Sequence, residues 1–395
     1  MKIAVLTSGI LPVPAVQGGA VENLIDFCLE YNAQHKKHDI TVYSVWHPNV
    51  ENHPAMQSEV NHYRFVQTSR LIDKICKYIF KYTHKELYYH YTVEYYLTKA
   101  IRQIKKEKYD TILIENRPGY VLKLKSKTNI PLVIHQENDY LNTNTKHFQE
   151  IYDTVSCIIN TSEYITHQVQ TINSQDKKCV TVLNGIDIEH YYKSQAINRS
   201  DIGLNKNDFI IIYSGRLTPE KGILPLIKSI KQINKPDIKL LIIGANAYGK
   251  DQHPTPFIQK LQEASSPIIE NVIFTGYIDY EQIPSYLKMA DIAVVPSMWE
   301  EPFGLTVVEA MAAGLPLITT HSGGIPEICE GIATIVDREN LVDNLTKAIL
   351  NLYEHPEKRK AMSEASLERS KLFSKERYAR EFFEALENIC YIKHI

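Results

Sequence analysis

The sequence predicts an α/β protein built from two doubly wound domains that face each other across a cleft, and three observations lead there. Its 395 residues exceed the size at which one hydrophobic core usually keeps growing. Short β-branched runs alternate with stretches of helical periodicity, the pattern of parallel sheets with crossover helices. The rhythm pauses once, in the polar stretch 189–208, and then restarts. The predicted division is therefore 1–188 for a first domain and 189–374 for a second. The last helix, about 375–395, is expected to pack back on the first domain.

In chain order, strands are expected near 3–6, 40–45, 63–66, 111–114, 132–135, 156–160 and 180–183, with helices over 20–31, 72–80, 87–106 and 164–172. In the second series strands fall near 209–213, 239–243, 271–274, 292–295, 316–319 and 333–336. Helices there cover 224–233, 257–263, 282–288 and 306–312, and three more follow from 341 onward. Stretch 189–208 shows no strand pattern and reads as the linker, just after the turn Asn184-Gly185-Ile186-Asp187. Ligands of open parallel sheets bind outside the carboxyl ends of the strands, so the loops at those ends are the places to look for chemistry.

Composition narrows the class. Hydrophobic residues make up 44% and charged residues 23%, as in ordinary folded proteins, and the formal net charge of −2 gives no reason to expect a nucleic-acid partner. Six scattered cysteines, with no CxxC pair, read as reduced and mostly buried thiols of a cytoplasmic protein. No apolar run is long enough for a spanning helix, and the opening one is too short for a signal peptide. One segment departs from the average: 70–108 carries ten Lys/Arg against four Asp/Glu, interleaved with tyrosines. Lys74, Lys77, Lys81 and Lys85 recur at helical spacing. They form either a solvated face or a surface for anionic lipid and a peripheral membrane contact.

The strongest chemical signal is Glu301-Pro-Phe-Gly-Leu-Thr-Val-Val-Glu309, which follows a strand and turns into a helix. Glu301 lies in the loop and Glu309 about one turn inside the helix, so they sit at different depths along a ligand. A carboxylate that accepts from two vicinal hydroxyls suits a ribose or a hexose. Backbone N–H groups around Gly304, Leu305 and Thr306, with the helix dipole, suit an anion between them. Both glutamates could instead merely decorate a helix N-terminus, but their flanking pattern favours a site. Ser214-Gly215-Arg216-Leu-Thr-Pro-Glu-Lys221-Gly222 leaves another strand end, where two cations can neutralise a diphosphate. Gly18-Gly19-Ala20 opens the first helix after the first strand, a weaker anion signal. His135 ends its strand, and Glu115-Asn116-Arg117-Pro118 follows another; both are candidates by position. No Asp-x-Asp metal motif and no His/Cys cluster is found.

These residues resemble the family 4 glycosyltransferases, which have the GT-B fold of two Rossmann-like domains. Gly-Gly-Ala at 18–20, Asn-Gly-Ile-Asp at 184–187, Gly-Arg…Lys-Gly at 215–222, Glu-Pro-Phe-Gly…Glu at 301–309 and Gly-Gly-Ile-Pro-Glu at 323–327 match in order and spacing. The resemblance implies that Arg216 and Lys221 bind the donor diphosphate and that Glu309 holds the ribose. Glu301 would contact the donor sugar, near the amides of Phe303, Gly304 and Leu305. Gly19 would touch the phosphate or acceptor from the first domain, and His135 would lie near the anomeric centre. It also implies retention of configuration, no metal or other cofactor, and a leaving phosphate that helps deprotonate the acceptor. Gln-Glu-Asn-Asp after His135 is longer than the pattern of many members, which bears on acceptor geometry rather than on the donor.

The expected activity is therefore sugar transfer from a nucleotide sugar to a glycan or lipid-linked acceptor in surface polysaccharide synthesis, in the cytoplasm or at the inner membrane face. A UDP-sugar is preferred, with GDP- and ADP-sugars open. A nucleotide-sugar epimerase of the same fold and a non-catalytic scaffold are the alternatives. A nicotinamide oxidoreductase is disfavoured, because no acidic residue ends the second strand where a dinucleotide ribose needs one.

Overall fold

The computed structural model describes residues 1–67, 71, 74, 75, 78, 94–245 and 255–392. The expected helix over 72–80 and the start of that over 87–106 lie largely outside them. The chain separates into two compact units, Met1–Asn184 with Lys375–Ile395, and Gly185–Ser374.

The first unit holds seven strands: β1 Lys2–Leu6, β2 Asp39–Val45, β3 Asn61–Val66, β4 Thr111–Glu115, β5 Leu132–Gln136, β6 Cys157–Asn160 and β7 Cys179–Thr181. They form one sheet in the order β3-β2-β1-β4-β5-β6-β7, and every neighbouring pair is parallel. Strand interiors such as Ile112, Leu113 and Ile114 are buried on both faces, as a sheet covered on two sides requires. One face packs with Tyr96, Leu97, Ile101 and Ile104 of the helix Glu94–Ile104. The other packs under the helices Ala20–His35 and Lys375–Ile392 through Leu24, Cys28, Tyr378, Phe382 and Leu386. The last helix thus completes the core of the first unit. Cys28, Cys157 and Cys329 are buried, and Cys179 is partly buried.

The second unit holds β8 Phe209–Ser214, β9 Ile238–Ile243, β10 Val272–Gly276, β11 Ile292–Val295, β12 Leu317–Thr320 and β13 Thr334–Val336, again all parallel, in the order β10-β9-β8-β11-β12-β13. The helix Ile223–Ile233 buries Ile223, Leu226, Ile227, Ile230 and Ile233, a stripe at three- and four-residue spacing, against this sheet. Each such side chain contributes about 1.5–3 kcal/mol when fully buried.

The expected linker is a correction. The second unit begins at Gly185, and part of 189–208 folds as the helix Ile188–Lys193 and the turn Arg199–Ile202. The Asp187 side chain caps the first helix by accepting from the His190 N–H at 3.1 Å. Ile188 and Tyr191 are buried. Two buried residues were enough to recruit a stretch whose overall polarity suggested a tether.

Candidate active site

In each sheet the direction of winding reverses once, between β1 and β4 in the first unit and between β8 and β11 in the second. Loops leaving neighbouring strands on either side of such a switch diverge and leave room for a ligand. In the second unit these are the loop after Ser214, carrying Arg216 and Lys221, and the loop after Val295, carrying Glu301. The strands are paired, Ile292 beside Ile211 and Ala293 beside Ile212, so residues about eighty apart in sequence meet.

They meet closely. Lys221 Nζ donates to Glu301 Oε1 at 2.6 Å, and the Ser297 hydroxyl donates to the same oxygen at 2.6 Å. Lys221 also lies 5.3 Å from the centre of the Trp299 ring. The two loops are tied through the backbone as well: the Met298 N–H donates to the Glu220 carbonyl at 2.8 Å. Gly222, directly after Lys221, has φ 72°, and a Cβ there would stand 1.8 Å from the Pro296 carbonyl oxygen. Only glycine lets the lysine loop lie this close to the end of β11. Glu301 is fixed from a third side, since its carbonyl accepts from the Gly324 N–H at 2.8 Å. The Ser297 carbonyl in turn accepts from the Thr320 and Ser322 hydroxyls at 2.6 and 3.0 Å.

Gly304, φ 119°, precedes the helix Leu305–Ala312 and its carbonyl accepts from the Val307 N–H at 2.9 Å, so the Leu305 and Thr306 amides are the ones with no partner inside the helix. Phe303 contributes no side chain to this place: it is buried and packs edge-on against Phe373 at 6.0 Å. Glu309 is buried too, and burial pushes its carboxyl up to about 7 against the opposing effect of the Tyr191 and Tyr280 phenols. Arg216 is exposed and its guanidinium makes no ion pair among the described residues. The arrangement therefore offers a free guanidinium, an ammonium held by a carboxylate, a helix N-terminus and a deeper carboxyl group. Such a set can take a diphosphate with a hydroxyl-bearing group on either side. Ser297, Trp299, Tyr191 and Tyr280 were not picked out from the sequence. Tyr191 stands four residues after Asp187 and Ser297 four before Glu301, and only their proximity to those motifs could have pointed to them.

The first unit holds Gly19 and His135. Gly19, φ 114°, opens the helix Ala20–His35, and a Cβ on it would lie 2.3 Å from Glu22 Oε2. His135, expected near the anomeric centre, lies near the end of β5 with a side chain only 1% exposed. Nδ1 lies 2.7 Å from Glu115 Oε2, on the residue beside it in the paired strand, and Nε2 lies 2.9 Å from Glu137 Oε1. Phe382 of the last helix closes over the ring at 4.9 Å. Burial disfavours the charged imidazole, but Glu115 and Glu137 outweigh it and raise its pKa to about 10. His135 is thus enclosed by two acidic side chains, which favour the protonated ring. Asn184, the last residue of this part of the unit, donates to the other Glu137 oxygen at 2.6 Å.

With this geometry in place, the comparisons with known proteins are specific. The fold is that of the GT-B glycosyltransferases. Anabaena Alr3699/HepE in complex with UDP superposes with a TM-score of 0.73 at 18% identity, over 98% of this chain and all of that one. Residues 194–369 match the family model of the glycosyl transferases group 1, so the unit that carries Arg216, Lys221, Glu301 and Glu309 is a domain of that group. Putative glycosyltransferase YtcC of Bacillus subtilis is 29% identical, over 88% of this chain and 82% of its own. Spore coat protein SA of the same organism is also 29% identical, over 84% and 83% respectively. The chain is a glycosyltransferase of the GT-B type.

Proposed function

We propose that this glycosyltransferase moves a sugar from a nucleotide-sugar donor to a glycan or lipid-linked acceptor, with retention of configuration and without a metal ion. The observation that carries the reading is the Lys221–Glu301–Ser297 contact beside the amino end of the helix bearing Glu309. Lys221 and Arg216 bind the diphosphate and offset the charge that grows as the sugar leaves. Glu301 contacts the sugar, the amides from Phe303 to Leu305 receive the phosphate, and Glu309 holds the ribose. Gly19 lets the first unit's backbone approach the phosphate or the acceptor.

A UDP-sugar is the preferred donor, supported by the UDP held by the HepE structure of the same fold. The acceptor reading places the enzyme in surface polysaccharide synthesis in the cytoplasm, at the inner face of the membrane. Among the described residues no helix is long and apolar enough to cross a membrane, so contact would be peripheral. Exposed Leu71, Ile75 and Tyr78, with Lys74 beside them, supply apolar and basic groups for it.

The test is hydrolysis and transfer with a panel of UDP-, GDP- and ADP-sugars in excess chelator, with the product anomer read by NMR. Turnover of one UDP-sugar with retained configuration is expected. Inversion, or an absolute need for manganese or magnesium, would overturn the mechanism, and no turnover of any donor would overturn the activity.

A further inference from the structure

Glu301 is held at its main chain as well as at its side chain. Lys221 and Ser297 fix the carboxylate, whereas the turn after β12 fixes the carbonyl, which accepts from the Gly324 N–H. Gly323, φ 51°, comes so close that a Cβ on it would stand 2.1 Å from the same oxygen. That turn is itself held by the residue before Glu301. The Gly323 N–H donates to Glu300 Oε2 at 2.6 Å. The two adjacent glutamates thus have separate duties, Glu301 buried beside Lys221 and Glu300 exposed over the turn.

Glu300 does not act alone. Arg338, from the loop between β13 and the helix Leu341–Glu354, donates through Nη2 to Glu300 Oε1 at 2.5 Å. Its Nη1 donates to the Met298 carbonyl at 3.4 Å, so one planar guanidinium spans two points of the loop 297–301. Loops from the neighbouring strands β11, β12 and β13 are joined in this way at their carboxyl ends. Burial raises the Glu300 carboxyl, but the bonds from Arg338 and Gly323 outweigh it and hold it below its ordinary value. It therefore stays an acceptor. The pair adds little to the stability of the fold, since the Glu300 and Arg338 side chains are 44 and 35% exposed and water screens them. What it does set is position. A misplacement of about 1 Å in an active site can cost about a hundredfold in rate.

We propose that Glu300 and Arg338 are positioning residues: together they hold the Gly323–Gly324 turn on the Glu301 main chain and so place the Glu301 carboxylate for the donor sugar. The proposal rests on the reading of Glu301 as the sugar contact. The nucleoside diphosphate should be indifferent to this clamp. The amides that receive its phosphate open the helix Leu305–Ala312, which is anchored separately by buried Val307, Val308, Ala310 and Met311.

The variants that test this are Glu300→Ala, Arg338→Ala, both together, the exchanged pair Glu300→Arg with Arg338→Glu, and Glu301→Gln. Each is assayed for kcat and KM with the donor that wild type turns over in the panel above. Calorimetry gives its affinity for that donor's free nucleoside diphosphate and its unfolding midpoint. Both single alanine variants should lose about ten- to a hundredfold in kcat/KM while diphosphate affinity stays within about twofold. Their midpoints should stay near that of wild type. The double alanine variant should lose no more than the worse single one, because both residues act through one chain of contacts. The exchanged pair restores an ion pair but leaves the Gly323 N–H without its acceptor, so it should be as slow as Glu300→Ala. Recovery of the wild-type rate by the exchange would make the pair a plain charge contact and overturn the proposal. Unchanged kcat/KM in the alanine variants would overturn it too, as would a loss matched by an equal loss of diphosphate affinity. If Glu301→Gln is as active as wild type, or no donor is turned over, it is the reading of the site that fails, and the positioning role with it.

Discussion

His135 shows how strongly a single residue's surroundings can act on it. A histidine at a strand end reads as a group aimed at a ligand, whereas here Glu115 and Glu137 enclose it and Phe382 covers it. Unfolded, an imidazole takes its proton near 6.5, and in the fold the carboxylates hold it up to about 10. A raised folded value means that this stabilisation is complete below about pH 6.5 and is lost as the pH climbs toward 10. Urea unfolding should therefore show wild-type stability falling across that window, with a shallower fall in His135→Gln. Breaking a buried pair on one side costs about 3–5 kcal/mol, so His135→Gln should also unfold at clearly lower urea. An unchanged midpoint would show that the ring contributes nothing to the fold. Lys221 carries the complementary lesson. Both it and Glu301 stand out in the sequence, but their contact does not, because it depends on which strands become neighbours.

At the scale of elements, the site is two loops held at a fixed spacing by glycine. Gly222 is the closest of these approaches, and a methyl group there would meet a backbone oxygen that cannot move without β11. Gly222→Ala should cost about 1–3 kcal/mol from its positive φ alone, and more from the clash. It should also weaken nucleotide binding, because it parts Lys221 from Glu301. Calorimetric unfolding and UDP titration on the one variant check both; normal affinity at lowered stability would show that the loops close independently. The strands themselves were readable because their apolar runs are short and bounded. Loop sequences such as 214–222 and 301–309 were readable because glycine, proline and charge fall at strand ends. The helix Ile188–Lys193 was not, since only Ile188 and Tyr191 in it are buried, too few to raise a periodic signal. Tyr191 was lost with it.

The whole molecule makes its own demands. Leu71, Ile75 and Tyr78 are 73, 55 and 67% exposed, a row of large apolar side chains that water does not favour. Lys74 lies among them, and Lys77, Lys81 and Lys85 follow at helical spacing in the sequence. If this segment meets an anionic bilayer, wild type should co-sediment with anionic vesicles at low salt. The variant with all four lysines changed to glutamate should not, while it keeps activity on a soluble acceptor. Each cation near the surface is worth about 1 kcal/mol, so four decide the outcome. Equal partitioning would return the segment to solvent.

The last helix carries a different consequence. Tyr378, Phe382 and Leu386 belong to the core of the first unit, yet they leave the ribosome after all of Gly185–Ser374. During synthesis, at about 5–20 residues per second, the first unit waits with one sheet face incompletely covered while its successor can already close. A nascent chain stalled near Ser374 should then present that open face to a holdase chaperone. Release of the final helix, supplied even as a separate peptide, should end the capture. Birth order and assembly order are reversed in this enzyme.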